Sequence, residues 1–265
     1  MDRAAQGTSP EEAAGTRATY DSAGLRKEAP VDRSQAGAAP RERIYPRGAA
    51  RSEAEFRLVQ RVFSRCNEYI QEACRASSVP AGFLGALTAN ESGGNSAAVR
   101  FEPSVYRHLK AVAEGESPRY GGIDAEALCE ELAEVLHPKT GEFHAMFLNS
   151  LFRGEQASEL SRLADEALRE LASSWGFVQI MGFHVVGWRR SVRDLVEPRT
   201  HYHFANQLLA EFAVSHKLNL ARDFEGMFRC WNTGRPDGKT ADAAYVENGL
   251  GRMEMYRMLI AGGSR

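Results

Sequence analysis

The sequence predicts a mainly α-helical domain over residues 53–265, with at most a small β-hairpin, preceded by a disordered arm at residues 1–52. Apolar residues recur at spacings of three and four through most of the domain, which is typical of packed helices. Only "SAAVRFE", residues 96–102, has a strand-like pattern. The sequence shows no regular alternation of strands with helices and no repeat of about 20–50 residues, so a parallel sheet and a solenoid are disfavoured.

Residues 1–52 are predicted to be disordered from their composition. They contain 12 Ala, 5 Gly and 4 of the 10 prolines of the chain, with few large aliphatic side chains. Such a segment cannot bury enough apolar surface to offset the entropy that it would lose on ordering. A solvated tail is the favoured interpretation, and a segment that tethers the domain to a secretion or phage-particle partner is the alternative.

The helical pattern divides into eight stretches. They are residues 52–77, 80–91, 103–115, 124–137, 155–175, 200–217, 223–232 and 242–260. In the first stretch, Val59, Val62 and Cys66 follow one another at helical spacing. Pro80 begins the second, in the first turn where a helix tolerates proline. We therefore expect one helical domain after the arm.

Charge and hydropathy argue against several classes of protein. The formal net charge of -2 gives no whole-chain electrostatic reason to bind nucleic acid or an anionic membrane. No apolar run approaches the roughly 18 residues of a transmembrane helix. The N-terminus lacks the apolar core of a signal peptide. We therefore expect synthesis in the cytoplasm, with release or export by a non-classical route if the protein acts outside it.

Cysteine and histidine spacing does not predict a metal site. The chain has 4 cysteines and no CxxC pair, so buried free thiols are expected. His201 and His203 are two positions apart in a predicted helix and would face different directions, while His137 and His144 flank a loop. Solvated or hydrogen-bonded histidines are favoured, and no metal or cofactor is expected.

Glu91 is the candidate catalytic residue. It ends the apolar stretch 80–91, is followed by "SGG", and shares a helix face with Leu84 and Leu87. Burial on that face and the helix C-terminus both disfavour a negative charge, and the two glycines can supply the left-handed end of the helix. These effects favour a protonated carboxylic acid near neutral pH, the state that a general acid needs. The alternative is a hydrated glutamate at a helix end.

Four motifs occur in order along the chain. They are "ESG" at 91–93, "SWGFVQI" at 174–180, "WNTG" at 231–234 and "YV" at 245–246. Together they resemble the lysozyme-like superfamily of peptidoglycan-cleaving enzymes, in particular soluble lytic transglycosylase domains and phage-type N-acetylmuramidases. The resemblance covers roughly residues 53–260. It implies a lysozyme-like helical fold of the goose type, with Glu91 as the catalytic acid.

The resemblance also implies substrate contacts for a further set of residues. They are Ser92, Gly176, Gln179, Ile180, Trp231, Asn232 and Tyr245. Gly176 would let the backbone approach a sugar closely, and Gln179 would offer both a donor and an acceptor to an N-acetyl group or hydroxyl. The alternatives are a structural amide for Gln179 and a helix cap for Asn232. Tyr245 would either donate its hydroxyl into the cleft or simply pack.

The sequence shows no obvious second carboxylate. Glycoside hydrolysis usually needs two, about 5–5.5 Å apart for retention or about 6.5–9.5 Å for inversion. Glu102 in "RFEP" is the nearest candidate, since phage-type muramidases carry a similar "FE", and a salt bridge to Arg100 or Arg107 is the slightly favoured alternative. Asp124 is a poorer candidate because it begins a predicted helix, where Asp caps.

The expected function is cleavage of the β-1,4 bond between MurNAc and GlcNAc in peptidoglycan, whose glycan strands would be the partner. In lytic transglycosylases one Glu protonates the leaving oxygen and then takes the proton of the muramyl O6 hydroxyl, so no water attacks. A single assignable acid favours this reaction over hydrolysis. The alternative from another class is a catalytically idle glycan-binding or structural module of a secretion or phage apparatus.

Overall fold

The computed structural model describes residues 53–75, 77–128, 159–188 and 191–262. The predicted arm at 1–52 and most of the predicted helix at 124–137 lie outside the described residues, as do His137 and His144. The described part of the chain is mainly α-helical, which confirms the coarse fold prediction. The finer assignment, a lysozyme-like fold, stays a prediction.

Seven α-helices lie wholly within the described residues. They are α1 (Glu53–Arg75), α2 (Ala81–Glu91), α3 (Pro103–Ala113), α4 (Glu159–Leu171), α5 (Pro198–His216), α6 (Phe224–Thr233) and α7 (Tyr245–Gly262). Two short 3₁₀ turns, Gly182–Val185 and Val192–Val196, precede α5. None of the described helices has both the length and the apolar character needed to cross a bilayer.

Five short strands form two small antiparallel sheets in the described part of the chain. The strands are β1 (Val99–Phe101), β2 (Arg119–Tyr120), β3 (Ile123–Asp124), β4 (Ser173–Trp175) and β5 (Ile180–Met181). β4 lies between β1 and β5, so that Ser174 faces Arg100 on one side and Met181 on the other. β2 and β3 pair with each other as a separate hairpin. The predicted strand at 96–102 is confirmed by β1.

The predicted helix at 155–175 is wrong at its C-terminal end. α4 ends at Leu171, and the chain then enters β4. The backbone amide of Glu102 donates to the carbonyl oxygen of Ala172 at 2.9 Å, so pairing with the segment around β1 begins as soon as the helix stops. The local pattern does not show this, because the strand that stabilises β4 lies far away in the sequence. We expected at most one small β-hairpin, whereas the described residues form a three-stranded and a two-stranded sheet. In the larger sheet, β1 and β4 come from distant parts of the sequence.

The core is built around α2. All residues from Gly82 to Ala89 are buried, and α2 packs against both α1 and α7. The contact with α7 is close, since a Cβ at Gly85 would lie 2.3 Å from the ring of Tyr256. The predicted apolar stripe is therefore too narrow, because α2 is enclosed on every side until its last turn. There the chain reaches the edge of the core, and Glu91 is partly exposed.

Candidate active site

Glu91 is the last residue of α2. The backbone amides of Ser92 and Gly93 both donate to the carbonyl oxygen of Thr88, at 3.2 and 3.0 Å, and this closes the helix. Gly93 and Gly94 have φ of 63° and 84°, the left-handed conformation that glycine adopts without steric strain. The predicted glycine-dependent helix end is confirmed, and it places the carboxyl group of Glu91 at the edge of the core.

Burial raises the pKa of the Glu91 carboxyl to about 7, because the surrounding protein replaces water that would solvate the charged form. A hydrogen bond from Tyr245 and the positive charge of Arg100 both lower this pKa, but burial outweighs them. The carboxyl therefore changes its protonation state near neutral pH. A group that must first give and then take a proton needs this property.

Tyr245, the first residue of α7, is 8% exposed and points its hydroxyl at Glu91. The hydroxyl donates a hydrogen bond to Oε1 of Glu91. Burial has the largest effect on the Tyr245 hydroxyl and the adjacent Glu91 the next largest, and both raise its pKa well above the usual value, so the phenol keeps its proton.

Ser92 joins the end of α2 to the turn that follows β4. Its Oγ donates to the carbonyl oxygen of Phe177 at 2.6 Å and accepts from the amides of Gly94 and Asn95, both at 3.2 Å. These three bonds engage the hydroxyl within the protein. The structure thus gives Ser92 a direct role in holding the turn beside the candidate acid, and its contact with substrate stays a prediction.

Gln179 ends the turn at residues 176–179 and has a φ of 56°. Its Nε2 donates to the carbonyl oxygens of Ala98 and Gly176 at 3.1 and 2.9 Å, and its Oε1 accepts from Oγ of Ser174 at 2.8 Å. A non-glycine residue in this conformation costs about 1–3 kcal/mol, which the surrounding contacts must offset. The structure therefore supports the alternative of a structural amide, which ties the turn to the segment before β1.

Gly176 packs against protein atoms. Its φ is 70°, and a Cβ at this position would lie 2.6 Å from the carbonyl oxygen of Leu195 and 2.7 Å from Nδ1 of His201. Side-chain atoms essentially never approach that closely. The structure therefore gives a reason for glycine inside the protein, since the missing side chain makes room for His201, and the close approach of the backbone to a sugar stays a prediction.

His201 is buried and anchors the same turn to α5. Its Nδ1 donates to the carbonyl oxygen of Leu195 at 2.6 Å, and its Nε2 accepts from the amide of Val178 at 2.9 Å. A carbonyl only accepts and an amide only donates, so these partners select the neutral tautomer. Burial lowers the pKa of the imidazole to about 4. The prediction of a hydrogen-bonded histidine is confirmed, and the described residues contain no cluster of three or more potential metal ligands.

The remaining predicted contact residues differ in their surroundings. Ile180 lies in β5 and is 1% exposed, so it belongs to the core. Nε1 of Trp231 donates to the carbonyl oxygen of Val178 at 2.9 Å, which braces the turn from α6. Asn232 is exposed in the last turn of α6. The helix-cap alternative for Asn232 is wrong, because Gly234, with a φ of 76°, occupies the cap.

Glu102 forms an ion pair with Arg100, whose Nε lies 2.6 Å from Oε1 of the carboxylate. The predicted salt bridge is thus confirmed for one of its two named partners. Arg100 also lowers the pKa of Glu91, so its charge acts on both carboxyl groups. Asp124 accepts a bond from the amide of Ala127 at 3.0 Å, as expected of a residue that caps a helix.

Sequence reasoning missed two residues beside the Glu91–Tyr245 pair. Nδ2 of Asn90 donates to the backbone carbonyl of Tyr245 at 3.1 Å, and its Oδ1 accepts from Nη1 of Arg252 at 2.7 Å. These contacts join residues from opposite ends of the domain, so no spacing pattern could have linked them. The available signal was the position of Asn90, directly before the candidate acid.

The four sequence motifs meet at one place. Ser92 of the first and Trp231 of the third both bond to backbone carbonyls of the second, and Tyr245 of the fourth bonds to Glu91. The motifs therefore form one connected site around a carboxyl group that titrates near neutral pH. Comparison of the chain with protein-family models, with curated proteins and with solved structures finds no match.

Proposed function

We propose that this domain cleaves the β-1,4 glycosidic bond between MurNAc and GlcNAc in peptidoglycan, with Glu91 as both acid and base. The observation that carries the proposal is a carboxyl group with a pKa of about 7 whose Oε1 is held by the neutral phenol of Tyr245. Near neutral pH such a group is available both as the acid and as the carboxylate. A solvated helix-end glutamate would be ionised and could not act as the acid.

The proposed reaction needs one carboxyl group. In the first step Glu91 gives its proton to the glycosidic oxygen, the bond between C1 of MurNAc and O4 of GlcNAc breaks, and GlcNAc leaves with a free 4-hydroxyl. In the second step the Glu91 carboxylate takes the proton of the C6 hydroxyl of MurNAc, and O6 forms a bond to C1. The product is a 1,6-anhydro sugar, Glu91 is protonated again, and no water is consumed.

Tyr245 supports the step in which Glu91 is negatively charged. Its hydroxyl donates to Oε1, and a hydrogen bond to a charged group contributes about 1.5–3 kcal/mol. Without this bond, burial would hold the carboxyl more firmly in its neutral form. The tyrosine therefore keeps the acid able to release its proton as the glycosidic bond breaks.

The reaction is favoured over hydrolysis because it needs one carboxyl group, and Glu91 is the described carboxyl whose pKa burial raises to about 7. A hydrolase would need a second carboxylate as base or nucleophile, and Glu102, which pairs with Arg100 at 2.6 Å, is the residue whose substitution tests that alternative. An idle glycan-binding module is also less well supported. It has no need of a carboxyl group with a raised pKa, an arrangement that is more typical of functional sites.

The test is digestion of purified murein with the wild-type chain, Glu91→Gln and Glu102→Gln, followed by mass spectrometry of the products. We expect 1,6-anhydro ends from the wild type and from Glu102→Gln, and a loss of at least about 10²–10⁴-fold for Glu91→Gln. Glu102→Gln is the matched control, since it makes the same carboxyl-to-amide change nearby. Reducing ends that depend on both residues would identify a hydrolase, and no products from the wild type would identify an idle module.

A further inference from the structure

We infer that Glu55, Arg252 and Asn90 form a positioning chain that holds Tyr245 where its hydroxyl reaches Glu91. This positioning chain of three side chains runs from α1 through α7 to the last turn of α2, so it joins the helices that meet at the site. Only its consequence for catalysis depends on the proposed function. The positioning itself is a property of the folded chain and can be measured without substrate.

Asn90 is held at both ends of its side-chain amide. Nδ2 donates to the carbonyl oxygen of Tyr245 at 3.1 Å, and Oδ1 accepts from Nη1 of Arg252 at 2.7 Å. The two partners define the orientation of the amide, because a carbonyl can only accept and a guanidinium can only donate. Asn90 therefore transmits the position of Arg252 to the backbone of Tyr245.

The guanidinium of Arg252 forms a bidentate ion pair with the carboxylate of Glu55. Its Nε and Nη2 lie 2.8 and 3.1 Å from the two carboxylate oxygens of Glu55, and its side chain is 12% exposed. A planar guanidinium that binds both oxygens of a carboxylate has a defined direction, which a lysine ammonium cannot reproduce. Nη1 is thereby aimed at Asn90.

Tyr245 is consequently held by two hydrogen bonds. Its hydroxyl bonds to Glu91 and its backbone carbonyl bonds to Asn90, the preceding residue of α2. Arg252 follows Tyr245 by two helical turns and therefore lies on the same face of α7. The last turn of α2 is thus bound along one face of α7, and small movements between these helices would change the contact between the phenol and the acid.

Arg252→Lys is the informative substitution, because it keeps the positive charge but loses the bidentate contact with Glu55. The readout is the titration of the Glu91 side-chain carboxyl, followed by carbon-13 NMR in the full chain. We expect the Glu91 pKa to rise above its wild-type value, since a displaced Tyr245 opposes the effect of burial less well. Tyr245→Phe, which removes the hydroxyl, should shift the pKa in the same direction.

A double-mutant cycle separates positioning from a general loosening of the fold. If Arg252 acts through Tyr245, the Tyr245→Phe/Arg252→Lys chain should show no further shift beyond Tyr245→Phe alone. Arg199→Lys is the matched control, because it makes the same change at an arginine that also joins a helix to α1, through Glu72 at 3.0 Å. This control should leave the Glu91 titration unchanged.

The inference is overturned if Arg252→Lys titrates like the wild type, or if its shift adds fully to that of Tyr245→Phe. Should Arg252→Lys fail to fold, Glu55→Gln replaces it, with the same expectations. On murein, Arg252→Lys should lower kcat by about 10–100-fold with little change in KM, because the reacting groups are misplaced while binding is kept. A wild type without murein activity would refute the proposed function, whereas the titrations would still decide the inference.

Discussion

The hydroxyl of Tyr245 bonds to the carboxyl of Glu91 across 154 positions of sequence. One residue ends α2 and the other begins α7, so the site lies where two helix ends meet. Burial raises the pKa of the acid to about 7, and the tyrosine moderates that rise. The chemistry proposed for this domain depends on the balance between these two effects.

Tyr245→Phe should raise the pKa of Glu91, which is the direction in which burial already shifts it. Removal of the hydroxyl takes away a bond that lowers the Glu91 pKa, so the pKa should rise and the ionised form should be less stable. We expect murein cleavage to fall by about 10–100-fold, the equivalent of one hydrogen bond to a charged group. In a pH–rate profile, the limb governed by Glu91 should move to higher pH. An unchanged profile would show that the bond has no part in the reaction.

Glu91→Gln should stabilise the domain more at pH 8 than at pH 4. The folded pKa of about 7 exceeds the ordinary 4.5, so the folded state binds the proton more tightly, and wild-type stability falls as pH rises between these values. Glutamine stays neutral and avoids this loss, which amounts to at most about 3 kcal/mol. Denaturant unfolding of both chains across the pH range measures the difference. A gap that does not widen with pH would contradict the raised pKa.

His201→Gln should destabilise the domain, with its exposed neighbour on the same helix, His203→Gln, as the control. The neutral imidazole satisfies two buried backbone groups, and loss of such bonds costs about 1–3 kcal/mol. Because burial lowers the His201 pKa from 6.5 to about 4, the wild type loses stability as pH falls through this window. The difference in free energy of unfolding between the wild type and His201→Gln should therefore become smaller toward pH 4. A gap that stays constant would rule out titration of this residue.

Gly176→Ala should reduce stability and activity together. The positive φ alone costs a side-chain-bearing residue about 1–3 kcal/mol, and the contacts with Leu195 and His201 add to that cost. Gly262→Ala is the control, because a Cβ there would meet nothing within 4 Å. Thermal unfolding and murein digestion should be measured on the same samples. Loss of activity with stability intact would restore the view that this glycine faces substrate.

Local interactions made part of this site predictable. The helical spacing and the paired glycines after Glu91 indicate where α2 ends, and both features act within a few residues. The raised pKa followed from the same stretch, because an apolar helix that ends in a carboxylate favours its burial. The roles expected of Gly176 and Gln179 were less well predicted, since their partners come from distant segments.

By itself, the sequence determined that the domain is mainly helical and that Glu91 stands at the end of an apolar helix, because periodicity and backbone conformation depend on near neighbours. Tertiary structure alone decided that β4 is a strand, that His201 occupies the space beside Gly176, and that Arg252 reaches Asn90. Contacts of this kind form when helices from different parts of the chain pack together. Such packing leaves no spacing in the sequence from which the partners can be identified.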